Sequence, residues 1–383
     1  MFENLQKLEN NFIQRNPTVK ISFNNGARVD LSGYSQKKYR AEFWNREKCE
    51  FTTEIGSGFF AAPSKTYYVP WKVRILDRET LVKEEILDLE NKKVFVIVNS
   101  SSLGDNLAWV PQAIEFARIR KCKLTICSFY NYLFQKEDSE ITWIEPGEQI
   151  PCCHYAYYTI GYYMEEDRFN KTPVDPRTVP LGKVASDILG IPYRELRPTM
   201  ILQSNERPIQ EKYVCIAMRS TANAKHWHRE NGWQDVVDYL NSIGYKVAVI
   251  QKEQHELENV IDWTGNLPLT ERLKQLEHAE FFIGIGSGLS WLAWSMKKPV
   301  ILVSGFSQSY SEFQLDCKRI INEKVCNGCW NDTNFYFDKG NWNWCPRHEN
   351  TERMFECTKK ISSVRIIEAI NELSSLSNRS VEN

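Results

Sequence analysis

Phe281-Phe-Ile-Gly-Ile-Gly-Ser-Gly-Leu-Ser-Trp-Leu-Ala-Trp294 reads as a buried strand, a tight glycine turn and the start of a helix. The run from Phe281 to Ile285 is apolar on both faces, as a parallel strand covered by helices on either side must be. A helix opening after Ser287 presents unpaired N–H groups and the positive end of its dipole, a site for a diphosphate. Ser287, Gly288 and Leu289 are the expected donors. Glycines also serve close strand–helix packing, so the stretch speaks more firmly for fold class than for ligand. A dinucleotide-binding dehydrogenase would place G-x-G-x-x-G after the first strand of a unit, with an acid about twenty residues on. Here the turn follows a late strand, and the next strand ends at Ser304-Gly305 without an acid. Hydride transfer is disfavoured.

Outward from this turn the chain alternates strands and helices in both directions. Toward the N-terminus, Tyr213 to Met218 and Tyr245 to Gln251 read as strands and Gly232 to Ile243 as a helix. A similar unit precedes it: a strand from Lys93 to Asn99, a helix from about Asn106 to Arg120, a strand from Lys123 to Ser128, and a helix from Leu181 to Leu189 ending at Gly190-Ile191-Pro192. Two βαβ halves in tandem place a ligand cleft between them. The polar stretch Gln203 to Glu211 is the natural linker. Before residue 90 the pattern is β-rich, with a hairpin signal at Asn24-Asn25-Gly26, and suggests a small barrel or sandwich, a peripheral sheet being the alternative. The expected division is a β-rich domain over 1–90, Rossmann-like halves over 91–205 (acceptor side) and 206–316 (nucleotide-sugar side), a cysteine finger over 317–360, and a C-terminal helix and tail over 361–383.

Basic and acidic residues nearly cancel, 48 against 49, which removes the electrostatic footprint of a general nucleic-acid binder. The N-terminus lacks the apolar core of a signal peptide, and the longest apolar runs are strand-sized, too short to span a membrane. A cytoplasmic location is expected. In that reducing compartment, clustered thiols point to metal rather than disulfides.

Cys326-x-x-Cys329, Cys345 and Cys357 have the spacing C-x2-C-x15-C-x11-C. A C-x-x-C turn aims two thiolates at one centre, Asn327-Gly328 supplies the turn, and the loops return the other two. Trp330, Phe335, Tyr336, Trp342 and Trp344 could form a dry shell. Four unrelated buried thiols and a redox C-x-x-C are the competing readings, the latter ill-suited to this loop-rich context. His348 is an alternative ligand. A four-thiolate site is closed and therefore structural, with zinc the default and iron the runner-up.

Two further positions bear on chemistry. Met218 to Thr221 ends the first strand of the second half, and Lys225, His226, His228 and Arg229 follow. A cation there would face the cleft and neutralise a leaving diphosphate, or would simply be a solvated basic loop. Thr221 lies beside it, and Trp227, with Trp71, Trp109 and Tyr130, could wall the cleft or pack a core. In the first half, Leu103-Gly104-Asp105-Asn106 stands where strand gives way to helix. Asp105 could take a proton from an acceptor hydroxyl, or serve as the helix N-cap.

Ile261-Asp-Trp-Thr-Gly-Asn-Leu-Pro-Leu269, Leu273, Phe282 to Ala293 and Pro299 to Gly305 together resemble the C-terminal signature of heptosyltransferases. Gly286 stands where the lipopolysaccharide enzymes carry Asp, and Trp291 where they carry His. These departures, the β-rich N-terminus, the four cysteines and Ser101-Ser-Leu-Gly-Asp105 resemble the bacterial autotransporter heptosyltransferases, across nearly the whole chain. The resemblance implies a GT-B fold, two Rossmann-like domains facing a cleft. It also implies inverting transfer of heptose from ADP-heptose to serines of an autotransporter adhesin passenger. A homo-oligomer, a dodecamer, and one ferric iron per chain on the four cysteines are implied as well. Carried over, Asp105 is the base and Lys225 a phosphate contact. A transferase using another nucleotide hexose and a non-catalytic nucleotide-sugar-binding assembly protein are the alternatives.

Overall fold

The fully apolar runs become interior strands. The computed structural model describes residues 17–33, 36–136, 140–150, 153–201, 206–335 and 343–379. The first strands are β1 (Thr18–Asn24), β2 (Arg28–Ser32), β3 (Lys38–Asn45), β4 (Lys48–Gly56), β5 (Phe60–Ala61), β6 (Trp71–Asp77) and β7 (Thr80–Ile86). The first α/β half follows with β8 (Lys93–Val98), α1 (Leu103–Arg120), β9 (Lys123–Cys127), β10 (Thr142–Ile144), β11 (Ala156–Ile160) and α2 (Leu181–Leu189). The second half holds β12 (Tyr213–Ala217), α3 (Gly232–Ser242), β13 (Lys246–Val249), β14 (Ile261–Asp262), α4 (Leu269–Glu277), β15 (Phe282–Ile285), α5 (Gly288–Ser295) and β16 (Val300–Val303). It is completed by β17 (Cys317–Ile320), α6 (Glu356–Lys359) and α7 (Ser363–Arg379). Every residue of β12, β15 and β16 is buried, as their unbroken apolar sequence requires.

The second half is a six-stranded parallel sheet in the order β14-β13-β12-β15-β16-β17. The first half is a seven-stranded sheet in the order β10-β9-β8-β11-β1-β2-β5. Its last strands correct the expected barrel or sandwich. The β1–β2 hairpin forms at the predicted turn, with Asn25 and Gly26 at φ 53° and 95°, but β1 pairs parallel with β11 and extends the first half's sheet. Only β3, β4, β6 and β7 stand apart, as an antiparallel sheet. Alternation reveals a hairpin; which edge its outer strand joins is a tertiary choice. Likewise β17, read from sequence as the start of the finger segment, pairs with β16. Helix α7 packs Ile366, Ala369 and Ile370 into the second half's core beside Val236, Val237 and Leu240. Residues 203–205 of the expected linker, Tyr336 and Trp342 of the expected metal shell, and the chain ends 1–16 and 380–383 lie outside the described residues.

The two halves meet where α1 and α5 cross. A Cβ on Gly104 would stand 2.9 Å from Trp291 Cδ1, and one on Gly288 would stand 3.0 Å from Leu103 Cβ. Both glycines are needed for this approach. Trp291, Leu292 and Trp294 of α5 share one continuous core with Leu107 and Trp109 of α1. Among the described residues no helix is long and apolar enough to cross a membrane.

Candidate active site

In open α/β sheets ligands bind beyond the carboxyl ends of the strands. Five such ends converge here: Ser100 and Asp105 follow β8, Tyr162 follows β11, Lys225 follows β12, Ser287 follows β15, and Phe306 and Glu312 follow β16.

Helix α1 begins earlier than its apolar pattern suggests, with Ser102 as N-cap, so Asp105 is not the cap but lies within the first turn. Its Oδ2 accepts a hydrogen bond from Ser100 Oγ at 2.6 Å. The loop carrying Ser100 is held by Asn106 Nδ2, which donates to the carbonyls of Ser100 and Ser102, and by Tyr130 Oη, which donates to Ser101 O at 2.7 Å. Asp105 is only 8% exposed. Burial pushes its carboxyl up to about 6, against the opposing pull of Ser100, the Lys225 charge and Ser102.

Lys225 ends a single 3-10 turn, Asn223–Lys225. Its Nζ lies 5.6 Å from the Phe306 ring centroid. Burial lowers its pKa, while the negative charges of Glu312 and Asp105 hold it up. Glu312 Oε1 accepts from Ser307 Oγ at 2.8 Å, and Oε2 lies 2.7 Å from Arg319 Nη2. A Cβ at position 286 would stand 3.0 Å from Glu312 Oε1, so Gly286 leaves the room this carboxylate uses. Burial raises the Tyr162 phenol well above its ordinary value, and the charges of Asp105 and Glu312 add to the effect.

Ser287 is the extended N-cap of α5, yet its side chain makes no cap bond, and its buried Oγ has no partner. The first N–H groups of a helix lack intrahelical acceptors. Here they open, through Gly288 and Leu289, beside the start of α1. Thr221 is exposed on the loop before Lys225. Trp227 is not brought to this cluster: it is buried against Trp233, and its indole N–H donates to Ile361 O at 3.1 Å. Trp71 and Trp109 are core residues as well. Of the four aromatic wall candidates, Tyr130 alone touches the loop beside Asp105.

The cysteines also converge. Cys326, Cys329, Cys345 and Cys357 lie close enough that their charges act on one another. The last three are buried. Gly328 takes φ 71°, and a Cβ there would run into Gln308. Burial pushes Cys326 up to about 11 and Cys329 and Cys357 up to about 12. No three of these four sulfurs lie within 4.8 Å of one another, so they are neighbours rather than a closed ligand set; thiols of this kind suit a thiophilic ion, whose charge would offset their deprotonation. His348 and Glu356 stand nearby, their ligand atoms and the Cys326 sulfur within 4.8 Å of one another.

The chain is similar to known transferases along nearly its whole length. The model of glycosyltransferase family 9 (heptosyltransferase) matches residues 182–311. The autotransporter heptosyltransferase TibC, from an ETEC strain of Escherichia coli, is 38% identical over 380 residues, covering 95% of this chain and 92% of the relative. The chain belongs to the autotransporter heptosyltransferase family. A second relative, BAHTCr of Citrobacter rodentium, is 37% identical over 93% of this chain and 89% of its own. This heptosyltransferase superposes on crystalline TibC, described as a dodecameric iron-containing enzyme in complex with ADP-D-β-D-heptose, with a TM-score of 0.86 and 37% identity, covering 93% and 96% of the two chains. One family member, BimC of Burkholderia thailandensis, is named inactive; it is 32% identical over 93% of this chain and 86% of its own.

Sequence reasoning missed Ser100, Tyr162, Glu312 and Arg319. For three of them the signal is position alone: Ser100, Tyr162 and Glu312 lie in loops beyond the carboxyl ends of parallel strands in this transferase. Arg319, within β17, had none.

Proposed function

We propose that this chain transfers heptose from ADP-heptose to serine hydroxyls of an autotransporter adhesin passenger, inverting the anomeric carbon. The observation that carries the reading is the buried Asp105 carboxyl, raised to about 6, within reach of the Lys225 charge where the two halves meet. At pH 7 such a group is roughly nine-tenths ionised, yet it holds a proton better than an ordinary aspartate, which suits a general base. The acceptor Oγ–H gives its proton to Asp105 as Oγ bonds to the anomeric carbon. The bond from that carbon to the diphosphate oxygen breaks, and its electron pair leaves with ADP. Attack opposite the leaving group inverts the centre. The N–H groups opening at Ser287, Gly288 and Leu289, with the Lys225 ammonium, take up the charge on the departing diphosphate. Thr221 is a further donor contact in this reading, and Trp227, packed in the core, acts only through packing.

The two-domain GT-B architecture, with donor on the second half and acceptor on the first, is part of the proposal. So is a cytoplasmic location before passenger export. TibC's description as iron-containing and dodecameric supports one ferric ion per chain on the four cysteines, zinc being the alternative, and a homo-dodecamer. The ion would hold the segment from Cys326 to Cys357 in its fold.

The inactive relative BimC favours a second reading, a nucleotide-sugar-binding assembly protein without transfer. Mass spectrometry of a passenger co-expressed with this protein, in cells with and without ADP-heptose synthesis, decides between them. The expected result is heptose on serine, lost without the pathway. A hexose mass would overturn the donor, and an unmodified passenger would favour the assembly role.

A further inference from the structure

The cysteine-bounded segment reaches across the join between the halves. Toward the second half, the Trp330 backbone N–H donates to Phe306 O at 3.0 Å and the Gly328 N–H to Gly305 O at 2.8 Å. Asn331 Oδ1 accepts from the Gln308 N–H at 2.7 Å. Toward the first half, Asn331 Nδ2 donates to Arg177 O at 2.7 Å, and the Arg177 guanidinium donates to Phe335 O at 2.8 Å. Arg177 is itself buried and paired with Asp175 at 2.8 Å. Residues 328–335 are thus pinned to both halves within a few residues of Cys329.

The Trp330 ring stands at this crossing. It meets Tyr162 edge-on, centroids 5.7 Å apart at 87°, and lies 6.1 Å from Phe306. Tyr162 packs on Trp109 of α1 and lies within the electrostatic reach of Asp105. Phe306 lies under the Lys225 ammonium. One indole therefore touches both the aromatic that backs the carboxylate and the aromatic that backs the cation. We infer that Trp330 is a positioning residue for transfer: it wedges Tyr162 and Phe306 so that Asp105 and Lys225 stay opposed and dry across the cleft. The inference rests on the proposed base role of Asp105. Edge-to-face packing of this kind fixes ring orientation beyond what apolar area alone does. A small misplacement of catalytic groups is enough to slow chemistry strongly.

The test uses the metal-loaded protein with Trp330→Leu, Trp330→Phe, Tyr162→Leu and the Trp330→Leu/Tyr162→Leu pair. Metal content, ADP binding, transfer kinetics and amide hydrogen exchange are measured on each. Trp330→Leu is expected to lower kcat about tenfold or more, with ADP affinity changed by less than about twofold. Exchange should rise in both 100–106 and 305–311. The acid limb of kcat should move to lower pH, because water reaching Asp105 weakens the burial that raises it. The groups around Asp105 (Ser100, Ser102, Tyr130, Tyr162 and Lys225, with Glu312 behind Lys225) are unchanged in the Trp330 variants. Trp330→Phe should restore most of the loss. Tyr162→Leu, which leaves the cysteine-bounded sequence unchanged, should reproduce the signature, and the pair should be no worse than the worse single change. Unchanged kcat and exchange in a metal-replete Trp330→Leu protein, no rescue by Phe, a loss confined to KM, or additive losses in the pair would each overturn the inference. A parent protein that transfers nothing sinks the base assignment instead, and the exchange comparison then decides Trp330 alone.

Discussion

The starts of α1 and α5 are the same piece of backbone put to opposite uses. Each helix follows a parallel strand, each has a serine N-cap in extended conformation without a side-chain cap bond, and each crowds the other through a glycine. The first turn of α1 carries Asp105, and that of α5 carries no acid. A helix N-terminus ordinarily favours a carboxylate by roughly 0.3–1 kcal/mol. Asp105 nevertheless rises from 3.8 to about 6, a shift worth roughly 3 kcal/mol. Burial therefore wins over the dipole at α1, as the proposed base role requires. At α5 the same dipole meets no resident carboxylate, because Glu312 is tied to Ser307 and Arg319. In the proposed reading that end takes the anion brought by the substrate.

The sharpest way to break this division is to remove the carboxylate. Asp105→Ala should lower kcat for heptose transfer by about 10³-fold, while ADP binding, measured by calorimetry, stays within about threefold. If binding collapses as well, the two helix ends do not have separate tasks. Lys225→Ala comes next, with a loss of about 10²-fold shared between kcat and donor affinity. It should also move the acid limb of the pH–rate profile upward, since the lysine charge opposes the rise of Asp105. In the parent enzyme that limb should lie near pH 6, falling about tenfold per unit below it. A flat profile from pH 5 to 8 would remove Asp105 from the role.

Part of this contrast is legible in the sequence. Unbroken apolar runs announced β15 and β16, and the glycine turn between β15 and α5 announced a free helix end. Position relative to strand ends offered Asp105 as base or cap and a cation somewhere in the loop of Lys225; the family resemblance chose between them. What stayed hidden depends on contacts between distant residues. Glu312 sits in an aperiodic polar loop, and its importance comes from filling the space over Gly286. Trp227 was open between cleft wall and core because an aromatic in a loop carries no mark of which way it faces; its partner, Ile361, is 134 residues on. The cysteine spacing was plain, but the bond from Arg177 to Phe335 that lays the finger across both halves spans 158 residues.

The smallest effect separates burial from chemistry at Asp105. An acid whose folded pKa lies above its unfolded value binds protons more tightly when folded. Its contribution to stability is fully present below about 3.8 and is lost as pH rises through about 6. Above that the native state carries the cost of a buried charge. Asp105→Asn removes the charge while its amide oxygen can still accept from Ser100. The inactive variant should therefore be more stable than the parent at pH 8 by about 1–2 kcal/mol, less than the full shift because native states relax around buried charges. The gain, read from urea midpoints, should shrink as pH falls through about 6 and vanish by about pH 3, below which position 105 is neutral in both proteins, folded or unfolded. An equal difference at both pH values would mean that the substitution acts through packing, and that burial does not set the proton affinity of the base.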